Sequence, residues 1–388
     1  MHTVHDVAII GAGIAGTAMA KSLADKGWNT VLFERKAFPR HKVCGEFLSP
    51  ESRSMLNALG VSELIETLQP NFMDRTRLVF SHGDSLVLPL PGTALGISRY
   101  ALDTVLLSAA RAAGAEVHTE TTVKNITAQG KGYLIETQGK HSAASFEVRT
   151  VIAAWGTNGH IGLNGSSTNR PVQSNRKSKQ HTYIGIKSHF TGIPMEPAVE
   201  LYFLNGGYVG ISSVEDGRVN VAALLKQHAF QTKPKSIMGW IEAACSRNDK
   251  LKDKLAKGVP VEGTQAAVAP VDLSRKPLAW DRFPQAGDAA LMIPPLCGDG
   301  MSMALRSAEL NAKLADRFLK NEISLSDWKV EYSRSINQQF KGPLQWGRTV
   351  QWIISKPHLA RLLPFAARMT PKLAYELVQA TRLKERES

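Results

Sequence analysis

Cysteine is scarce in this sequence: Cys44, Cys245 and Cys297 are an odd number, far apart, among 388 residues. That spacing argues against a disulfide framework or a zinc site. The eleven histidines show neither H-x-x-x-H nor H-E-x-x-H spacing, so no metal site is expected. No G-x-S-x-G occurs, which disfavours a nucleophile-elbow hydrolase. Long apolar runs are missing near the start, where Val7 to Ile10 is too short for a signal-peptide core or a membrane span. A cytoplasmic enzyme or binding protein is the expectation. Acidic residues are in deficit, 34 against 47 Lys and Arg, giving a net charge of +13.

The excess of positive charge forms no single block, so nucleic acid is not expected as a partner. One dense stretch, Arg170 to Lys179, reads as a solvated loop. The other runs from Lys341 to Arg386, where nine basic residues face two acidic ones among Trp346, Trp352 and several aliphatic residues. Helices packed on a cofactor domain would explain it, and so would peripheral contact with an anionic membrane.

What is present is an ordinary globular composition, 43% hydrophobic and 21% charged, in a chain long enough for two or three domains. Asp6 to Ile10 reads as a buried parallel strand running into Gly11-Ala12-Gly13-Ile14-Ala15-Gly16. A helix with Ala18, Met19, Leu23 and Ala24 on its apolar positions follows, and Thr30 to Glu34 is a second strand. This is a βαβ unit. A helix is expected over Ala101 to Ala113, a strand over Gly114 to His118, a buried strand over Val148 to Ala154, and a helix over Met301 to Phe318. Alternating segments at 77–90, 182–190 and 199–225 predict antiparallel strands of another domain.

The glycines have separable tasks. Gly11 permits the tight turn, Gly13 lets the backbone approach a pyrophosphate, and Gly16 lets the helix pack closely on the strand. The helix start offers free N–H groups and the positive end of its dipole to an anion. Glu34, ending the second strand, can accept hydrogen bonds from both hydroxyls of an adenosine ribose. Dinucleotide binding is the strongest inference from these residues, and they leave FAD and NAD open.

Phe38-Pro39-Arg40-His41-Lys42-Val43-Cys44-Gly45-Glu46, Ser98 to Asp103, and Gly287-Asp288 through Pro294-Pro295 to Gly298-Asp299-Gly300-Met301 together resemble FAD-dependent oxidoreductases of the para-hydroxybenzoate hydroxylase fold, particularly the geranylgeranyl reductase-like branch. The resemblance implies an α/β architecture in which a Rossmann-type FAD-binding domain (1–75, 98–160 and 280–320) is interrupted by a β-rich substrate domain (76–97 and 161–279). A helical C-terminal region (321–388), punctuated by Pro343, Pro357, Pro364 and Pro371, completes it. FAD would be held by Gly11, Gly13, Ile14, Ala15, Gly16, Glu34, Arg35, Arg40, Arg99, Val123, Gly287 and Asp288, with Gly298, Gly300 and Met301 facing the ring. Cys44, Gly45 and Glu46 would lie by flavin and substrate, Cys44 as a thiol in contact with either and Glu46 at the site mouth.

One departure bears on the reductant. The hydroxylases carry an Asp-Gly pair where this chain reads Ala153-Ala154-Trp155-Gly156-Thr157-Asn158. No second G-x-G-x-x-G exists, so NAD(P)H would bind transiently in the flavin cleft, or a separate electron donor would serve. The halogenases' W-x-W-x-I-P and the prenyl reductases' Y-x-W-x-F-P have no match in Gly207 to Ser212. The leading expectation is a monooxygenase acting on an aromatic or polyketide-like small molecule. An alkene reductase of the geranylgeranyl type comes next, and a non-redox prenyl- or lipid-binding protein of the same fold is the alternative of another class.

Overall fold

The computed structural model describes residues 4–140, 142–157, 183–231, 233–354, 356, 358, 363, 369 and 371–383. The expected loop at 170–179, Asn158, and Arg361, Arg368, Lys384 and Arg386 of the basic tail lie outside them.

In chain order, β1 (His5–Ile10) turns through the glycines into α1 (Ile14–Ala24), and β2 (Thr30–Phe33) returns beside β1. A long loop reaches β3 (Phe47–Leu48), followed by α2 (Ser52–Ala58), α3 (Ser62–Glu66), β4 (Asn71–Val79) and β5 (Ser85–Gly96). Then come α4 (Arg99–Ala112), β6 (Glu116–His118), β7 (Thr122–Gln129), β8 (Gly132–Gln138) and β9 (Ala143–Ala153). The second half holds β10 (Tyr183–Thr191), β11 (Ala198–Leu204), β12 (Gly207–Ser213), β13 (Val219–Lys226), α5 (Ile237–Cys245), α6 (Asp249–Leu255), β14 (Val259–Pro260) and β15 (Ala266–Val271). α7 (Gly300–Leu319), α8 (Leu325–Ile354) and a last helix, Pro371–Ala380, close the chain.

Two sheets result. The first has the order β6-β2-β1-β9-β8-β7. β1 pairs in parallel with β2 and β9, whereas β7, β8 and β9 form an antiparallel meander. Val7, Ala8 and Ile9 have no exposed surface, as a central strand covered on both faces requires. The second sheet runs β14-β10-β13-β12-β11-β4-β5-β3, with β15 beside β10. Its ladders are antiparallel as expected except β11 on β4, which is parallel. The two strands are far apart in sequence and need no hairpin turn between them.

α1, α4 and α7 pack in one apolar core with the inner faces of β1 and β2. α8 adds Trp328, Tyr332, Ile336, Phe340 and Leu344, a stripe at four-residue spacing that lies buried. Pro343, expected to interrupt the tail, sits inside this helix. It removes one N–H donor, and Phe340 and Leu344, anchored in the core on either side, carry the helix through.

Candidate active site

One cavity of about 760 Å³ runs from the glycine turn after β1 across the inner side of the second sheet. At its first end the turn is built by close approach. Gly11 has φ +107°, and a Cβ there would stand 2.5 Å from the Ala154 carbonyl oxygen. A Cβ on Gly16 would meet the Gly11 carbonyl at 1.8 Å, so the helix packs on the turn itself. Gly13 is different: a Cβ would point into the cavity, 3.7 Å from Lys42 Nζ. No side chain caps α1 and no acidic residue lies in its first turn, so its N–H groups and dipole are free for an anion.

Glu34 is buried at the end of β2. Its Oε2 accepts the Ala12 N–H at 3.0 Å and Arg40 Nη2 at 3.1 Å, and its Oε1 accepts the Lys36 N–H. Arg40 also packs over Phe38; it is half-buried and bridges the turn to Glu34. Ile14, Ala15, the exposed Arg35 and the buried Val123 line the same end. Lys42 was not among the expected cofactor residues. Burial lowers its pKa, and the Arg99 charge lowers it further. A desolvated ammonium this close to the open face of Gly13 is suited to a pyrophosphate.

At the middle of the cavity two further turns converge. Gly287 packs on Ala15 of α1, and Asp288 lines the space with no hydrogen-bond partner for its carboxylate among the described residues. Gly298 has φ +75° and a Cβ on it would press on the Phe47 ring at 2.9 Å. α7 then begins at Gly300 with no side-chain cap, and its first residues, Gly300 and Met301, line the cavity. Its N-cap Asp299 is fully buried and pairs with Arg382, which reaches back from beyond the last helix. Burial raises the Asp299 pKa well above the carboxylate range, against the pull of Arg382. The open Gly13 face, two uncapped helix starts, Glu34 and the unpartnered Asp288 fit FAD. The pyrophosphate would lie at α1 and the ring at α7.

The loop carrying Cys44, Gly45 and Glu46 borders this middle region. A Cβ on Gly45 would meet open space, and the Cys44 thiol, close to the Arg99 charge, accepts the Glu46 N–H at 3.4 Å. Burial works against the Arg99 charge, but the bidentate Asp103 carboxylate at 2.6 and 2.8 Å outweighs it and holds Arg99 charged. Glu46 does not stand at the site mouth. It has no exposed surface and binds Lys187 Nζ at 2.5 Å, His189 Nε2 at 2.6 Å and the Arg99 N–H at 2.9 Å. The partners that bury it belong to a strand too distant in sequence for the motif to reveal. Burial and the neighbouring Lys187 and His189 lower the His41 pKa to about 4, so this imidazole is neutral at pH 7. Cys297 also lines the cavity, and burial raises its pKa, so its thiol stays protonated.

The second sheet covers the cavity with one face graded along its strands. Strand alternation and register place His189, Asn220 and Ser212 in one row, Lys187, Ala222 and Gly210 in the next, and Leu224, Tyr208 and Phe203 in the third. Lys187 and the polar row hold the Cys44–Glu46 loop, and the small Ala222 and Gly210 leave room beneath it. The apolar row continues into Leu78, Leu86 and the α8 side chains Val350 and Ile354. Tyr208 is buried, and burial raises its pKa well above that of free tyrosine, so its hydroxyl remains protonated.

A family model described as an FAD binding domain matches residues 4–320. Digeranylgeranylglycerophospholipid reductase 2 of Methanopyrus kandleri is 24% identical over 360 residues, covering 90% of this chain and 87% of that protein. Menaquinone reductase of Mycolicibacterium smegmatis is 31% identical over 137 residues, 34% of this chain and 33% of that one. Among solved structures, the myxobacterial chondrochloren halogenase CndH superposes with a TM-score of 0.78 at 17% identity, covering 98% of this chain and 91% of that one. Halogenase PltM in complex with phloroglucinol and FAD gives 0.74 at 15% identity, covering 97% and 82%. At these identities the structural likeness speaks for the fold alone. With the family match spanning both ends of the cavity, this chain belongs to the FAD-binding-domain family and is an FAD-dependent oxidoreductase.

Proposed function

We propose that the protein reduces a carbon–carbon double bond in a molecule with a long apolar chain. The observation that carries this reading is the far half of the cavity. Beyond the expected flavin position its walls are mostly leucines, isoleucines, valines and alanines with Met292, Phe203 and Trp346, and the polar groups among them include the hydroxyls of Thr76, Tyr208 and Thr349. Such a lining binds by area removed from water, about 25 cal/mol per Å², and Arg382, which also lines the cavity, is already paired with Asp299. The relatives named as reductases of digeranylgeranylglycerophospholipid and menaquinone support the same substrate class.

FAD in its reduced form would supply the hydride to one carbon of the double bond, and the other carbon would take up a proton from a protonated group of the lining. The protein's part is to hold the double bond against the ring, exclude water with the apolar walls, and keep protons on Cys297 and Tyr208. Oxygenation of a compact ring, the first expectation from the sequence, is the competing reading. Trp155 in place of the hydroxylase Asp lines the cavity and weakens it. Electrons would come from a nicotinamide held transiently in the same cavity or from a separate donor protein.

The deciding experiment supplies the reduced holoprotein with polyprenyl and alkyl-chain substrates, once anaerobically and once under ¹⁸O₂. Saturated product formed at the same rate without oxygen is the expected result. Product carrying ¹⁸O, and none formed anaerobically, would overturn the reductase in favour of the monooxygenase. We further propose that the α8 end of the cavity, where Trp346 and Trp352 are exposed, rests on an anionic lipid surface from which such a substrate could enter.

A further inference from the structure

The loop that faces the flavin site is held by the other sheet. Asn220 Nδ2 donates to the Cys44 carbonyl at 3.0 Å, and Ser212 Oγ donates to the Gly45 carbonyl at 2.8 Å. Lys187 and His189 bind the two carboxylate oxygens of Glu46. These four side chains come from β13, β12 and β10 and are all buried. The arrangement has two costs. A lysine and a glutamate without exposed surface each lose hydration that pairing must restore. Glu46 also sits at φ +52°, a left-handed region unfavourable to a non-glycine residue. An apolar contact would hold a loop more cheaply. What it would not do is fix three successive residues at defined heights, with the Cys44 thiol beside Arg99 and the bare face of Gly45 toward the cavity.

We propose that Lys187, His189, Asn220 and Ser212 are positioning residues that set the distance of the Cys44–Gly45 segment from the flavin. The substrate-domain sheet thereby fixes the geometry of the reacting end of the cavity. The proposal rests on the cofactor site and not on the identity of the substrate. The groups facing Glu46 are Lys187 and His189 from β10, the Arg99 N–H from α4, and His41 from its own loop, itself near Arg218. Burial alone would raise the Glu46 pKa; the His189 hydrogen bond and the Lys187 charge hold it low instead.

The test measures alkylation of Cys44 by N-ethylmaleimide in FAD-loaded protein, read by peptide mass, together with FAD affinity. A Cys245→Ser background removes the other partly accessible thiol. Asn220→Ala and Lys187→Met should each speed Cys44 alkylation by about tenfold, the equivalent of one lost buried hydrogen bond. Lys187→Met should also give the alkylation rate a new pH step above the usual carboxylate range, absent in Lys187→Met/Glu46→Gln, and Lys187→Arg should restore most of the native rate. Rates and FAD affinity within twofold of wild type in both Asn220→Ala and Ser212→Ala would overturn the proposal. Those two variants decide it even where Lys187→Met does not fold, because neither strands a buried charge. A wild-type protein that takes up no FAD would overturn the cofactor reading as well.

Discussion

Gly13 and Lys42 share one task at the first end of the cavity. A valine at Gly13 would put its side chain where Gly13 now faces open space and the Lys42 ammonium, so Gly13→Val should abolish flavin absorbance in the purified protein while circular dichroism stays native. Full occupancy would show that the pyrophosphate lies elsewhere. Lys42→Met should weaken FAD binding about tenfold, the worth of one charge-assisted hydrogen bond. The sign of its pH dependence follows from burial. Burial and the Arg99 charge depress the Lys42 pKa, and an anion favours the protonated form, so binding takes up a proton where Lys42 is neutral. FAD affinity should therefore fall as pH rises toward the ordinary lysine range, and this fall should be absent in Lys42→Met. The glycine turn and Glu34 were legible in the sequence because their geometry is local, a strand, a turn and a helix within thirty residues. The part of Lys42 and the buried placement of Glu46, expected at the site mouth, were not: the first gains its meaning from Gly13, the second from Lys187 and His189 more than a hundred residues on.

Strands β10, β12 and β13 show the same division at the scale of the element. Their alternation was readable, and with it the existence of a sheet. Which of the two faces would meet the cavity depended on pairing register, which no single strand discloses. α8 illustrates the helical case. Its apolar periodicity was plain, yet the prolines suggested an interruption that tertiary packing overrides at Pro343. The Tyr332 hydroxyl donates to the Gln285 carbonyl at 2.6 Å, just before the Gly287-Asp288 turn. Tyr332→Phe should cost about 1–2 kcal/mol in urea unfolding by leaving that buried carbonyl short of a donor. Phe340→Ala, which empties a fully buried site, should cost about 3–5 kcal/mol. Equal losses for the two would mean that α8 is anchored by packing no more than by its hydrogen bond.

No helix among the described residues is long and apolar enough to cross a membrane; the lipid contact proposed for the α8 end is a peripheral one. The protein should co-sediment with vesicles containing anionic lipid at low salt, and Trp352→Ala together with Lys356→Gln, both at exposed positions, should weaken that binding; no sedimentation even at low salt would remove the membrane reading. The α/β class and the interrupted cofactor domain were legible at this scale, because the family's short motifs are scattered through the chain. The grading of the cavity was not, since it arises only when both sheets and α8 close around it. The loop from Arg40 to Glu46 belongs by sequence to the first sheet and by its hydrogen bonds to the second. The Cys44–Glu46 end of that loop couples the two sheets, so heat should unfold the protein in one calorimetric transition despite its two sheets. Added FAD should move that single midpoint upward as RT ln(1 + [L]/Kd) requires, without splitting the peak in two.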